Sequence, residues 1–311
     1  MPLVVGTGRP PAPSPTRPQP KIFTWTAPGG DVIPLCDQGA GYLSLKGRAG
    51  MGMIPREVIY DANPDGGGIF RTIQDQVRVI SYPLRIQGDT QTLYLERYRR
   101  LQRGFRHRRG GVDVPGTLTV GLPDGTSRSI SAFYLGGLDP EEAELDDLLA
   151  VGQNHPRLEF LALDPYWTGG DISYTWASSA ASVPFFATMP VHLSASQVLG
   201  NVTADLPGDA DSYPIWTLTG PGTPLLANDT TGSELVFAEE IPDGTVVTID
   251  TRPEQLTVVD DEDENWYPNL EAFPDLWVLE PGVNELRVEM SGATADSKVQ
   301  MTAAVRWQTG W

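Results

Sequence analysis

Between residues 213 and 307 the chain cannot run far in any one direction. Seven short stretches of alternating apolar and polar residues occur there: 213–219, 233–237, 245–250, 255–259, 275–279, 284–290 and 298–307. Gly220-Pro221-Gly222, Pro242-Asp243-Gly244 and Pro281-Gly282 stand between them. Proline fixes φ and removes a backbone donor, and glycine admits the left-handed turn conformations, so no helix passes through such points. Alternation with period two buries one face of a strand. Short strands at this spacing, with no helical stripe among them, predict an antiparallel β-sandwich.

The preceding half reads differently. Residues 10–20 (PPAPSPTRPQP) hold six prolines and almost nothing apolar, and read as an extended, polyproline-like arm. Strands are expected at residues 21–26, 32–35 and 78–85, and residues 56–60 and 69–70 flank Asn63–Gly68 (NPDGGG), a turn. The glycine-rich stretch 39–52 is read as a strand leading into a loop. One helix is expected from about Thr90 to Arg106. Asp89 or Thr90 serves as its N-cap, and Tyr94, Tyr98, Leu101 and Phe105 form a single apolar stripe ended by Gly110-Gly111. A hairpin (116–121 and 127–135), an acidic loop or short helix (139–149) and a closing strand (158–163) complete this half. Residues 168–186, which begin small, polar and glycine-containing, read as a connection. The expected order is an arm (1–20), a mixed domain (21–167), a linker (168–186) and a β-sandwich domain (187–311). No repeat of fixed period appears.

Charge divides the chain at the same place. Residues 1–167 carry 18 Lys+Arg against 18 Asp+Glu, whereas residues 168–311 carry 4 against 22, which is the entire net charge of −18. An acidic surface of that kind has no clustered cations for phosphate, which argues against nucleic-acid binding by the second half. A single cysteine, Cys36, rules out an internal disulfide and a cysteine metal cluster, and reads as a small half-buried hydrophobe. No stretch approaches the roughly 20 apolar residues of a membrane span. Residues 1–8 lack the basic start and long apolar core of a secretory signal, so a soluble protein made in a cytoplasm is expected.

Little in the sequence points to catalysis. His107, His155 and His192 have no neighbours at metal-ligand spacing, and nucleophile-elbow, P-loop and dinucleotide motifs are missing. Glu159, in the apolar run LEFLAL, falls on the outward-facing set. No enzyme activity, cofactor or metal is expected. The acidic run 260–264 (DDEDE) could offer oxygens to Ca²⁺, but it lacks the spaced ligands of a calcium loop and reads as a solvated hairpin tip. Arg97, Arg99, Arg100, Arg103, Arg106, Arg108 and Arg109 form a dense basic face beside the apolar stripe. It is open to three readings: a solvated surface, a dock for acidic surfaces of neighbouring subunits, or a nucleic-acid contact, which the scarcity of interleaved aromatics disfavours. Seven of the eight Trp lie at or beyond Trp167. Trp216, Trp277 and Trp307 fit strand cores, while Trp266, Tyr267 and Trp311 either pack at a rim or stack on sugar rings.

Taken in order, several segments resemble the distal tail protein family of siphophages. They are RVISYPLRIQG, the helix QTLYLERYRRLQRG, the hairpin GTLTVGLPDGTSRSISAFYLGGL, the closing strand LEFLALDPYW, and then residues 209–237, 241–251 and 276–288. The resemblance spans about residues 22 to 307. Each motif alone marks only a turn or a strand; their order carries the likeness. The proline-rich arm has no counterpart in it.

The resemblance implies a mainly β fold. Its N-terminal β-sandwich-like domain with one α-helix would pack six-fold into a ring, and its galectin-like or jelly-roll C-terminal sandwich would project outward. It also implies a non-enzymatic structural protein of the virion, at the tail tip or baseplate of a bacteriophage, a homohexamer joining the tail tube protein to the tail hub or tail-associated protein. A carbohydrate-binding adsorption module contacting host cell-wall glycan is the alternative, with Trp266 and Tyr267 as its residues; neither a membrane nor a specific nucleic acid is an expected partner. A ring needs heterologous contacts that close, and a charge-balanced half supplies them without net repulsion. The acidic half belongs at large radius, where salt screens it, and the arginine face at subunit or ring–ring contacts.

Overall fold

A computed structural model describes residues 21–139, 152–177 and 198–311. The arm, the acidic segment from residue 140 on, residues 178–186 of the expected linker and His192 lie outside the described residues.

The fold is mainly β, with one α-helix and one 3₁₀ turn among the described residues. In chain order the first half comprises β1 (Ile22–Thr26), β2 (Val32–Pro34), β3 (Tyr42–Ser44), β4 (Arg56–Ala62), β5 (Gly68–Asp75), β6 (Arg78–Gln87), α1 (Gln91–Gly104), β7 (Arg108–Arg109), β8 (Val112–Asp113), β9 (Gly116–Gly121), β10 (Ser127–Gly136), β11 (Gln153–Asn154) and β12 (Arg157–Ala162). Then follow β13 (Trp167–Ala177), β14 (Val198–Leu206), β15 (Ile215–Thr219), β16 (Thr223–Asn228), β17 (Ser233–Val236), β18 (Val246–Asp250), β19 (Thr257–Asp260), β20 (Gly282–Ser291) and β21 (Lys298–Trp307).

Two apolar cores form. In the first, β1, β6, β9, β10 and β12 bury Phe23, Trp25, Tyr82, Leu118, Ile130 and Phe160, and α1 lays Tyr94 and Leu101 over them. Thr90 caps the helix by accepting from the Leu93 N–H, as a threonine N-cap should. The stripe continues to buried Phe105, but the helix closes at Gly104, and Gly110-Gly111 instead turns the β7–β8 hairpin. Trp25 explains the early stop. Its indole N–H donates to the Gly104 carbonyl at 2.8 Å, and a Cβ at Gly104 would stand 2.4 Å from Ile33 Cδ1. Only glycine lets the helix end come so close to the sheet.

The second core is a sandwich. The β14-β20-β16-β17 sheet faces β21-β15-β18-β19, and Leu226, Leu286, Val288 and Met290 pack against Trp216, Leu218, Val247 and Met301. Trp216 stands edge-on to Trp277, with ring centroids 5.4 Å apart. Trp307 is only half-buried and touches both cores. Residues 275–279 contribute an isolated bridge, Ser212↔Leu279, in place of the expected strand.

β13 overturns the reading of residues 168–177 as a connection. It pairs with β10 and along most of β21, so one sheet runs from the first core into the second. Trp167 at one end is buried in the first core and Trp176 near the other end in the second. The last residues of the chain then fold back onto the first core. Fully buried Arg78 donates to the carbonyls of Pro165 (2.8 Å), Gly50, Gly52 and Gln308 (each 2.7 Å). Arg128 donates to the carbonyls of Thr309 (2.8 Å) and Trp311 (2.9 Å) and stacks on the Trp307 ring at 3.8 Å. The C-terminus therefore closes the body with which the described chain begins.

Candidate assembly interface

Three surfaces carry the chemistry left over after folding. The first is the β4–β5 hairpin, which among the described residues pairs only with itself. At about 3.3 Å per residue it extends roughly 25 Å, and nearly every side chain on it is exposed. Its register sets Val58 opposite Ile73 and Tyr60 opposite Phe70, which places these four on one face. They are 52%, 53%, 63% and 61% exposed respectively. Arg56–Asp75 and Arg71–Asp61 ion pairs lock the root and the outer part. A two-stranded hairpin is marginal by itself in water, and an uncovered apolar face on it signals a partner.

The root of the hairpin is tied into the joint between the two cores. Asp75 accepts from the Tyr166 hydroxyl and from Arg56. Burial pushes the Asp75 carboxyl up, yet these two hydrogen bonds outweigh it and hold the group below the usual carboxylate range. Arg56 also donates to the Gln308 side chain at 3.3 Å.

The second surface is the arginine face, which the structure divides. Arg97 turns inward and donates to the carbonyls of Gln87 and Gly39. Arg100 grips Asp31 with two hydrogen bonds, of 3.1 and 2.8 Å, and the Val32 carbonyl at 3.0 Å. Hydrogen bonding from Arg100 is the main reason the Asp31 carboxyl sits below its ordinary value. Arg109 donates to the Pro28 carbonyl at 2.9 Å. Arg99, Arg103, Arg106 and Arg108 are exposed. Arg103, Arg106, Arg108 and Arg109 wall a shallow depression of about 350 Å³ beside the Ala27–Gly29 turn. Helical spacing could not reveal this division, because the acceptors lie on segments distant in sequence.

The third surface is the acidic tip. Asp260 is committed to folding it: one carboxylate oxygen accepts the N–H groups of Glu262 and Glu264, each at 2.9 Å, and the other the Trp266 indole at 2.9 Å. Trp266 is half-buried against the second core, and Tyr267, 46% exposed, is the more open ring of the pair. Glu159 and His155 are exposed, and exposed His107 stands 3.6 Å from Asp113. Cys36 is half-buried, its sulfur accepting the Phe23 N–H at 3.1 Å. None of these groups converges with another on a reaction centre among the described residues.

This architecture is similar in fold to a solved bacteriophage hub protein. The chain matches the crystal structure of the SPP1 Dit protein, described as a paradigm of the hub adsorption apparatus in phages infecting Gram-positive bacteria. The TM-score is 0.60 at 15% sequence identity, over 90% of this chain and 98% of that one. The phage P2 baseplate in its activated, calcium-bound conformation also matches, with a TM-score of 0.48 and 10% identity over 91% and 98% of the two chains. At such identities the likeness is one of fold. No protein-family model and no curated protein matches the sequence.

Proposed function

We propose that the chain is a non-enzymatic structural hub of a bacteriophage tail tip, two β domains that close through the first into a six-membered ring. The observation that carries this reading is the β4–β5 hairpin, whose exposed apolar face has no partner among the described residues. Covering Val58, Tyr60, Phe70 and Ile73 with a neighbouring copy gains about 1 kcal/mol for each half-exposed side chain. A contact of one projecting element with a different surface is heterologous, the kind that generates closed rings. Arg99, Arg103, Arg106 and Arg108 supply a second contact, to acidic surfaces of a neighbouring subunit or of an adjoining tail protein. The sandwich, with its excess of carboxylates, takes an outward position as a galectin-like appendage. The likeness to the SPP1 hub protein supports the same role through the fold.

Electron microscopy of the purified protein tests the proposal: six-membered rings are the expected particle, and another closed symmetry would refute it. The glycan reading rests on Tyr267 and the free edge of Trp266. Binding to a cell-wall glycan array that disappears in Trp266→Ala would establish it, and silence across the array would remove it.

A further inference from the structure

Where the two bodies meet, a cleft of about 630 Å³ opens, lined by both of them. Pro165 and Tyr166 come from the first body, and Tyr213, Pro253 and Glu254 from the second. The Arg306 guanidinium holds the two tyrosines, 4.0 Å from the Tyr166 ring centroid and 4.9 Å from that of Tyr213. It is itself fixed by Asp164 at 2.8 and 3.0 Å. The cleft thus has rigid aromatic and proline walls. Asp171 and Glu254 line the same space as exposed carboxylates and form no ion pair among the described residues.

Residues 1–20 have the complementary chemistry: seven prolines, Arg9 and Arg17, and no acidic residue. Proline-rich segments are pre-extended and lose little entropy on docking, and they are read by tyrosine- and proline-lined grooves. A carboxylate beside such a groove selects an arginine through charge-assisted hydrogen bonds. We propose that the arm docks in this cleft of its own chain, with Arg9 or Arg17 meeting Asp171 and Glu254. The inference does not depend on the ring.

The point of attachment suits this. Lys21, where the arm joins the body, rests its ammonium 4.3 Å above the Trp311 ring. The Trp311 carbonyl is bonded to Arg128 of β10, the strand whose Ile130 and Ser131 reach the cleft. Three residues of strand cover roughly 10 Å, whereas an extended arm of this length reaches roughly 60 Å. Tethering also raises the local concentration of the arm to the order of millimolar.

The test uses full-length chains and a fluorescein-labelled peptide of residues 1–20, followed by fluorescence anisotropy. Arg9→Glu/Arg17→Glu vacates the cleft, so this variant should bind the peptide at least tenfold tighter than the wild-type chain, whose own arm competes. Adding Asp171→Asn and Glu254→Gln should cost at least tenfold of that binding, and Glu254→Lys alone should act in the same direction. Both carboxylates are exposed, and thermal melting checks that each variant is folded. Equal affinity for wild-type and Arg9→Glu/Arg17→Glu chains, no binding to either, or binding indifferent to the cleft substitutions would each overturn the proposal.

Discussion

In the second body three of the four cations hold carboxylates: Arg252 grips Asp250, Arg306 grips Asp164, and Arg287 meets Asp229, Glu234 and Glu289. Hydrogen bonding, first to Asp229 and then to Glu289, raises the Arg287 pKa further above its already high value. In the first body Arg56, Arg71 and Arg100 likewise hold carboxylates, but many of the other cations behave otherwise. Arg78, Arg97, Arg109 and Arg128 bind backbone carbonyls, and Arg99, Arg103, Arg106 and Arg108 stand exposed. Where carboxylates are in excess, cations are consumed within the fold and the remaining surface repels its own copies. Where charge is balanced, arginines remain for another molecule. The proposed division of labour between a contact-making body and an outlying one rests on that difference.

The most severe way to break the comparison is to remove a cation on which the first body depends. Arg78→Leu removes the donor of four carbonyls, buried at Pro165 and partly buried at Gly50, Gly52 and Gln308, and releases the C-terminal segment. Unsatisfied buried groups of this kind put the loss at about 3–5 kcal/mol. Thermal denaturation should show a large drop in Tm, and Arg78→Lys, which lacks the planar fork, should rescue only part of it. A steric change comes next. A Cβ at Gly116 would stand 2.2 Å from the Trp25 ring, so Gly116→Ala overpacks the first core by about 1–3 kcal/mol. Urea unfolding should register that loss, with the Trp216 environment of the second core left intact. The smallest effect concerns Asp31. Its folded pKa is depressed, so the Arg100 tie contributes fully above the unfolded value near 3.9 and is lost as pH falls through the depressed folded value. The pair is surface-exposed, which limits the change to about 0.2–1 kcal/mol; acid titration of wild-type and Asp31→Asn proteins, which should converge below pH 4, measures it.

The difference between the bodies was partly legible in the sequence. The charge partition, the helix with its Thr90 cap and Tyr94–Leu101 stripe, and most strands could be read because they depend on local periodicity. β13 could not be read so easily. Gly169-Gly170 sits where its register shifts, between Thr168 and Asp171, and gives the segment the composition of a linker, although Ile172, Tyr174 and Trp176 already alternate with Ser173 and Thr175. β14 hides for the same reason, with Gly200 at its own register shift. The apolar pairs of the hairpin were in view as residues, but alternation cannot say that both faces of a strand lie in solvent. Nor could spacing show that Arg78 would gather carbonyls from three separate segments.

Sedimentation velocity of the wild-type chain beside Tyr60→Ser/Phe70→Ser tests the self-association claim most directly, because it removes the apolar face while leaving both cores intact. The account predicts a discrete closed oligomer for the wild-type protein and a folded monomer, of unchanged melting temperature, for the variant. An oligomer that survives the double substitution would contradict it.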